Sequence, residues 1–385
     1  KQRLSIYLAY IFSYKGPTYF SQIEKSSEMF NEVKKLGMQA KEKFQKTGGN
    51  NEEKKNATKE FVQKQLRDMK INGEPVTDFY FPIHNSFYGK KIDHESSSVF
   101  GSKMVPIKIA AITSDDSILN VIFKNGDDLR QDVLTLQILK VMDKMWLDND
   151  LDLKITSYKV LPTGITEGFI EFITGKEIDG LQMVQGFAGA LDRELLLKYL
   201  KKVGQVIVNG SAKYDIIKQQ ENFVKSLAGF CVATCVMGIG DRHLGNVMLK
   251  DNGIFFHIDY GHFLGNFKYK LGIKRERAPF LLTPEMAHVY SKTGREEQFK
   301  LCCVKAYNIL RKNATRLMNL FIIMSTAGLP ELNGINDVTY LRKMLNLVNR
   351  KNDEDAGNYF IGLINQSKNE KFRLVDNIIH NFKHG

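Results

Sequence analysis

Short runs of alternating or apolar residues begin at Pro106. Ile107 to Ile112, Ile118 to Lys124, Ile155 to Leu161 and Gly168 to Ile173 read as strands of an antiparallel sheet. One helix interrupts them: Leu129, Val133, Leu136, Leu139, Met142 and Met145 recur every three or four residues, with Asp128 and Gln131 as a capping pair at its start. After about Gly175 helical patterns dominate, apart from one hairpin. Upstream, residues 1 to about 72 also read as helices. The segment Phe20 to Phe44 sets Ile23, Met29, Phe30, Val33, Leu36 and Met38 among Lys and Glu, Thr47 to Asn56 reads as a polar loop, and a second helix is expected from Ala57 to Met69. A small sheet with one helix, a short strap and a larger helical body make an α+β, two-lobed plan.

Composition narrows this picture. A chain of 385 residues with 43% apolar content supplies two or three cores. It opens on Lys1 with no initiator Met and no signal segment, so it is expected to be a piece of a longer protein. No apolar run approaches a bilayer span. The greasiest, Leu317 to Met324, is broken by Asn319 and reads as a core helix. Cys231 and Cys235, and Cys302 and Cys303, fall inside apolar helical patterns rather than on loops, which favours buried free thiols in a reducing cytosol over a zinc site. The net charge of +12 points to an anionic partner. No aromatic-interleaved basic strand or recognition helix supports nucleic acid.

Candidate chemistry concentrates between Gly240 and Gly261. Asn252-Gly253 is a strong hairpin signal, and a two-residue type I′ turn there would set Leu249 opposite Phe256, Val247 opposite Ile258, and Asn246 opposite Asp259. That register places a carboxylate and an amide oxygen side by side, a pair of hard ligands suited to Mg²⁺. Asp241, Arg242 and His243 lie on the loop that feeds the hairpin. A carboxylate or imidazole there can accept a hydroxyl proton or steady developing charge. Any one of these residues alone would be an ordinary turn cap or core histidine; together they indicate phosphoryl transfer.

Gly-Asp-Arg-His243 with Asn246, followed by His257-Ile-Asp-Tyr-Gly-His262, resembles the catalytic and metal-binding loops of phosphoinositide 3-kinases. The resemblance runs from about residue 76 to the end. It includes Phe123 to Asp132 (FKNGDDLRQD), Ser226 to Thr234 and Arg275 to Thr283. It implies a protein-kinase-like fold: residues 1–75 as the end of a helical domain, 76–173 as the N-lobe and 174–385 as the C-lobe. It implies ATP and Mg²⁺ as cofactors, and transfer of the γ-phosphate to the inositol 3-hydroxyl of a phosphoinositide. By position, Lys124 resembles the lysine that holds the ATP phosphates, with Asp127 near them. Asp132 and Tyr158 resemble the pair at the back of the adenine pocket. Glu171 and Ile173 resemble the strap whose backbone bonds the adenine edge. Ser102 and Lys103 sit where the phosphate-covering loop lies, and Ile122, Met248 and Ile258 complete the apolar lining. Asp241, Arg242, His243 and His262 correspond to catalytic positions, while Asn246 and Asp259 correspond to the metal ligands. Which of Asp241 and His243 takes the proton stays open.

The substrate signal follows Gly261. Lys268, Lys270, Lys274, Arg275 and Arg277 against Glu276 leave a net +4 in one loop. At roughly 1 kcal/mol per basic residue near an anionic surface, such a loop contributes about 4 kcal/mol to lipid engagement. In the resembling family, two basic boxes of this kind mark class I enzymes acting on the 4,5-bisphosphate. A class II-like range, a related Ser/Thr protein kinase and an inactive kinase-fold scaffold are the alternatives. The last segment, with Phe372, Ile378, Ile379 and Phe382, resembles the class I terminal helix, and the resemblance implies a cytoplasmic enzyme recruited peripherally to the plasma membrane. Upstream domains would bring a regulatory subunit or small GTPase. Four positions depart from the family pattern. Gly245 stands for Asp, Tyr260 for Phe, Lys108 for a pocket aromatic that would otherwise tighten adenine packing, and Asn377 for a membrane-touching Trp.

Overall fold

The computed structural model describes residues 16–81, 83–184, 186–205, 207–208, 211–212, 214–265, 269–270, 273–274, 278–329, 331–332, 334–347 and 352–369. Contacts divide the chain into two compact units, residues 1–133 with 158–173 and residues 134–157 with 174–385.

The first unit opens with α1 (Pro17–Lys46) and α2 (Asn51–Arg67). Asn50 Oδ1 accepts from Glu53 N at 2.9 Å, and Glu53 Oε2 accepts from Asn50 N at 3.0 Å. This reciprocal cap starts α2 at Asn51, so the expected loop to Asn56 shrinks to residues 47–50. Asn51 to Asn56 are polar because they form a solvent-facing first turn, not because they lack structure. A small hairpin, β1 (Lys70–Ile71) with β2 (Glu74–Pro75), precedes a six-stranded antiparallel sheet. Its strands are β3 (Thr77–Phe81), β4 (His84–Val99), β5 (Ile107–Thr113), β6 (Ile118–Asn125), β7 (Val160–Pro162) and β8 (Glu167–Glu171), in the order β3-β4-β5-β6-β8-β7. β3 and β4 lie ahead of the first expected strand. β4 is largely polar and shifts register twice against β5, which erases the alternation that marks a strand.

The sheet and both helices share one core. Phe123 of β6 meets Phe169 of β8 at 5.2 Å, and Phe30 of α1 packs edge-on against Phe169 at 4.9 Å. A Cβ on Gly37 would lie 2.6 Å from the Phe123 ring. The helix therefore carries a glycine, at about 1 kcal/mol of lost propensity, because the ring needs the space.

α3 (Arg130–Leu147) follows β6, and Arg130 N donates to Asp128 Oδ1 at 3.1 Å, so the expected aspartate bonds the backbone at the helix start. The second unit continues with β9 (Lys176–Glu177), α4 (Ile178–Met183), a 3₁₀ turn over Gly186–Leu191, α5 (Leu195–Gly204) and a hairpin of β10 (Ile207–Val208) and β11 (Ser211–Ala212). Then come α6 (Ile216–Met237), β12 (Val247–Leu249), β13 (Phe255–His257), β14 (Tyr269–Lys270) and β15 (Ile273–Lys274). The remaining helices are α7 (Pro284–Lys292), α8 (Glu296–Lys312), α9 (Ala314–Met324), α10 (Ile335–Met344) and α11 (Asp353–Lys368).

α6 is the spine of this unit, buried without a break from Ser226 to Met237, as a helix apolar on all sides must be. Gly229 on it makes room for Ile155, whose Cδ1 would lie 2.6 Å from a Cβ there. That docking explains why the expected strand from Ile155 begins only at Val160. The four cysteines are buried free thiols on α6 and α8, and burial pushes the Cys235 thiol up to about 12. α9 corrects the core-helix expectation in part. Leu317 and Phe321 are buried, but Ile322 and Ile323 are 49% and 66% exposed. Among the described residues no helix is long and apolar enough to cross a membrane.

The end of α6 sets up the functional segment. Gly238 adopts φ 57° as the helix C-cap. Gly240 N donates to His262 O at 2.9 Å, Leu264 N to Met237 O at 2.7 Å, and Gly265 N to Gly238 O at 3.3 Å. The Tyr340 side chain from α10 lies so close that a Cβ on Gly238 would come within 2.3 Å of its hydroxyl, and one on Gly265 within 2.6 Å of its ring. Residues 238–265 thus leave and return through one closed base.

Asp143 on α3 supplies a stability test. Burial, reinforced by the Asp152 charge, raises its carboxyl from 3.8 to about 6. A folded acid with a raised pKa binds more protons than the unfolded chain between those values, so stability is fully present below pH 4 and falls towards pH 6. Asp143→Asn should flatten that decline and add roughly 1–2 kcal/mol above pH 6, after discounting for partial solvation. Denaturant titrations at pH 4 and pH 7 check it; an equal effect at both would remove the assignment.

Candidate active site

In the first unit the nucleotide-side candidates gather around β6 and β8. Lys124 and Ile122 lie on β6, where Lys124 is opposite Gly168 and Ile122 opposite Ile170. Lys124 Nζ pairs with Asp127 Oδ2 at 2.7 Å, with the lysine side chain only 15% exposed. Asp132, in the first turn of α3, and Tyr158 are both buried. Glu171 closes β8, exchanging with Lys159: its N donates to Lys159 O at 2.9 Å, and its Oε2 accepts from Lys159 N at 2.8 Å. Ile173 ends the strap, half-buried. Ser102 and Lys103 are exposed in a tight turn in which Val105 N donates to Ser102 O at 3.0 Å. Val105 itself holds φ 49°, unusual for a β-branched residue, and its near-complete burial offsets the strain. Lys108 does not leave a gap where an aromatic was expected: its Nζ lies 5.4 Å from the centroid of Phe172 on the strap.

In the second unit the candidates line the closed segment 238–265, and here the hairpin register differs from expectation. Val247 pairs with His257, Met248 with Phe256 and Leu249 with Phe255. Asn252 is not left-handed; only Gly253, at φ 86°, is. Gly253 N donates to Lys250 O and Lys250 N to Ile254 O, both at 2.9 Å. That pattern is a three-residue loop with a left-handed glycine, not a type I′ turn. The extra loop residue moves the pairing by one, so Asn246 faces Ile258, whose N donates to Asn246 O at 3.0 Å. Asp259 comes one residue later, leaves the strand at φ 58°, and is exposed.

What ties Asp259 to the loop is Arg242. Its Nε donates to Gly240 O at 2.9 Å, its Nη1 to Ile258 O at 2.8 Å, and its Nη2 to Asp259 O. Its guanidinium carbon stands 5.6 Å from the Tyr260 ring. Arginine is the only side chain whose rigid fork can serve three carbonyls at once while stacking. Asp241 is itself left-handed at φ 54°, and its carbonyl accepts from Asn246 Nδ2 at 2.9 Å. Asn246 N also donates to His243 O at 3.0 Å. The amide nitrogen is thereby committed to the loop, leaving the oxygen as the group Asn246 can offer a ligand. Met248 is nearly buried and Ile258 half-buried.

Tyr260 resolves one departure. It is buried, and its hydroxyl donates to His257 O at 3.0 Å, so the added oxygen has a partner. His257 is fully buried and stacked on Phe230 at 5.1 Å; burial, with the Arg242 charge behind it, holds it well below its usual 6.5 and therefore neutral. His262 Nδ1 lies 2.6 Å from Glu331 Oε1, while Glu331 Oε2 accepts from Phe263 N at 2.9 Å. Glu331 belongs to the surroundings of the site and was missed from sequence, because it is 69 residues away in a loop with no local signal. Of the basic loop, Lys270 and Lys274 lie on β14 and β15, with Lys270 opposite Ile273 and Tyr269 opposite Lys274. Lys268, Arg275 and Arg277 lie outside the described residues, as do Phe372, Asn377, Ile378, Ile379 and Phe382.

The sheet unit thus carries an ion-paired strand lysine, and the helical unit an arginine-clamped loop and hairpin. The family model described as phosphatidylinositol 3- and 4-kinase matches residues 118–186 and 193–334, more than half of the chain, and the chain belongs to that family. It is 37% identical over 334 residues to phosphatidylinositol 3-kinase 1 of Dictyostelium discoideum, covering 85% of this chain and 20% of that protein. It is 38% identical over 307 residues to the phosphatidylinositol 4-phosphate 3-kinase C2 domain-containing subunit alpha of Pongo abelii, covering 78% and 18%. Against the human phosphatidylinositol 3-kinase C2 domain-containing subunit gamma it is 36% identical over 330 residues, covering 83% and 22%. The chain spans about a fifth of the length of these relatives.

Proposed function

We propose that the chain is a phosphoinositide 3-kinase catalytic region that moves the γ-phosphate of ATP to the inositol 3-hydroxyl, with the 4,5-bisphosphate as preferred lipid. The observation that carries the reading is the Arg242 clamp, which holds the Asp241 loop and the Asp259 end of the hairpin as one piece. Lys124, oriented by its ion pair with Asp127, binds ATP phosphate. Asp132 and Tyr158 close the back of the adenine site, Glu171 and Ile173 supply strap backbone, Ile122, Met248 and Ile258 supply apolar lining, and Ser102 and Lys103 cover the phosphates. Asp241 and His243 share proton acceptance and phosphate stabilisation, with His262 held by Glu331. Asn246 and Asp259 fit Mg²⁺: one presents an amide oxygen because its nitrogen is taken, the other an exposed carboxylate, and both are hard donors. The ion, when bound, neutralises charge on the transferring phosphate.

The basic loop supports the bisphosphate. Its arginines suit ring phosphates by their planar fork, and its charge suits an anionic membrane to which a cytoplasmic enzyme is recruited. A second reading, in which the 4-phosphate is the preferred acceptor, is favoured by the name of the Pongo abelii relative. Control by a regulatory subunit or small GTPase belongs to this proposal as well. The test is labelled-ATP transfer to vesicles carrying phosphatidylinositol, its 4-phosphate or its 4,5-bisphosphate, with the product position determined. A 3-phosphorylated product from the bisphosphate bears the reading out. Product from the other two alone transfers it to the second reading, and no lipid product overturns both. Replacing Lys274, Arg275 and Arg277 together with Ala should lower bisphosphate transfer by about a hundredfold, at roughly 1 kcal/mol per residue, and lower 4-phosphate transfer less. Equal losses on the two lipids would remove the headgroup role.

A further inference from the structure

Gly245 is not demanded by its backbone, because it is not among the glycines with positive φ. It is demanded by its surroundings. A Cβ there would lie 2.6 Å from Asp179 Oδ2, and 3.1 and 3.2 Å from Nδ1 and Cε1 of His243. A carboxylate oxygen and the Nδ1 and Cε1 atoms of an imidazole thus converge on the volume that a side chain at 245 would fill. Asp179 arrives there because β9 pairs with β12, Glu177 opposite Met248, and delivers α4 directly against the 244–246 turn. It is only 7% exposed, and its Oδ1 accepts from Gly180 N at 2.6 Å. Burying a carboxylate is costly unless polar or charged neighbours offset it. This one lies across the Gly245 position from the imidazole of the catalytic loop.

We propose that Asp179 is a positioning residue of the phosphotransfer site: its carboxylate fills the space vacated at Gly245 and orients the His243 imidazole together with the turn that carries Asn246. This rests on the function proposed above. It also accounts for the chain's departure at position 245, since the acid missing from the loop is supplied from α4. The two positions form an exchangeable pair, in which a carboxylate can come from one or the other but not both.

The experiment measures kcat and KM for ATP in lipid transfer for Asp179→Ala, Gly245→Asp, the double variant Gly245→Asp/Asp179→Ala and the control Gly245→Ala/Asp179→Ala. Thermal melts verify folding. Asp179→Ala should lower kcat about ten- to hundredfold, the usual effect of losing a group that orients a ligating or catalytic one, with KM moved less than about twofold. Gly245→Asp alone should also fall, because its Cβ meets the resident carboxylate. Gly245→Asp/Asp179→Ala should recover most of kcat, and Gly245→Ala/Asp179→Ala should not. Near-normal kcat in Asp179→Ala, or no recovery in the exchanged pair, overturns the proposal. So does equal recovery in the alanine control, which would make the effect one of space alone. If the unaltered protein transfers no phosphate, the functional reading fails, and the pair is judged by a readout independent of turnover. In protein ¹⁵N-labelled at histidine, Asp179→Ala should shift the His243 ring resonances and the exchanged pair should return them; unmoved resonances overturn it.

Discussion

Asp259→Asn should cut phosphate transfer by at least about a thousandfold while leaving the fold intact. The substitution keeps the shape of the side chain and removes the charge that a divalent ion needs. Asn also accepts the left-handed φ of 58° that this position holds, which Ala would resist by roughly 1 kcal/mol. Because Asp259 is exposed, no core contact is lost. Loss of about 4 kcal/mol of charge stabilisation at the transferring group corresponds to three powers of ten in rate. Single-turnover transfer, with melting temperature as control, decides it. Retention of more than about a tenth of normal activity in Asp259→Asn, at any magnesium concentration, would remove Asp259 from the ligand set.

Arg242→Lys should be nearly as damaging, at about a hundredfold in kcat, although charge is preserved. One ammonium cannot reach Gly240 O, Ile258 O and Asp259 O together, and each lost charge-assisted bond is worth about 1.5–3 kcal/mol when its acceptor is left without a partner. The loss falls on the geometry of the loop, not on the core, so melting should drop by only a few degrees. If Arg242→Lys matched the unaltered protein in kcat, the clamp would be a local tie with no part in catalysis.

The hairpin shows where residues suffice for inference and where they do not. Asn252-Gly253 announced a turn, and a turn is there, but whether one or two residues adopt positive φ is decided by what the strands pack against. A Cβ on Gly253 would sit 2.1 Å from Gln219 O of α6, and Gln219 Nε2 and Asn222 Nδ2 donate to the carbonyls of Asp251 and Asn252. Those contacts come from a helix some thirty residues earlier and favour the three-residue loop. Asn246 and Asp259 were picked out by type and spacing, yet their relation runs through Arg242 rather than through direct pairing. Periodic segments such as α3 and β6 were legible because one face of each is buried and the period is plain. β4 was not, because its bulges break the period, and the start of α2 was not, because a capping box looks polar. Asp179 and Glu331 were invisible for a different reason: each acts on a residue far away in the chain, and nothing local marks them.

The closed base at Gly238 and Gly265 bears on how such a chain can change over evolutionary time. A segment whose two ends bond to each other behaves as a cassette, and this one is pinned at its tip as well. A residue gained or lost around Asp251 to Gly253 would break the bonds from Gln219 and Asn222 and slip the pairing that sets Asn246 opposite Ile258. A change of one residue between Gly240 and Asn246 would rotate the functional groups relative to the arginine that holds them. Drift in length is therefore opposed at both ends, and at the base even a methyl group must contend with the side chain of Tyr340.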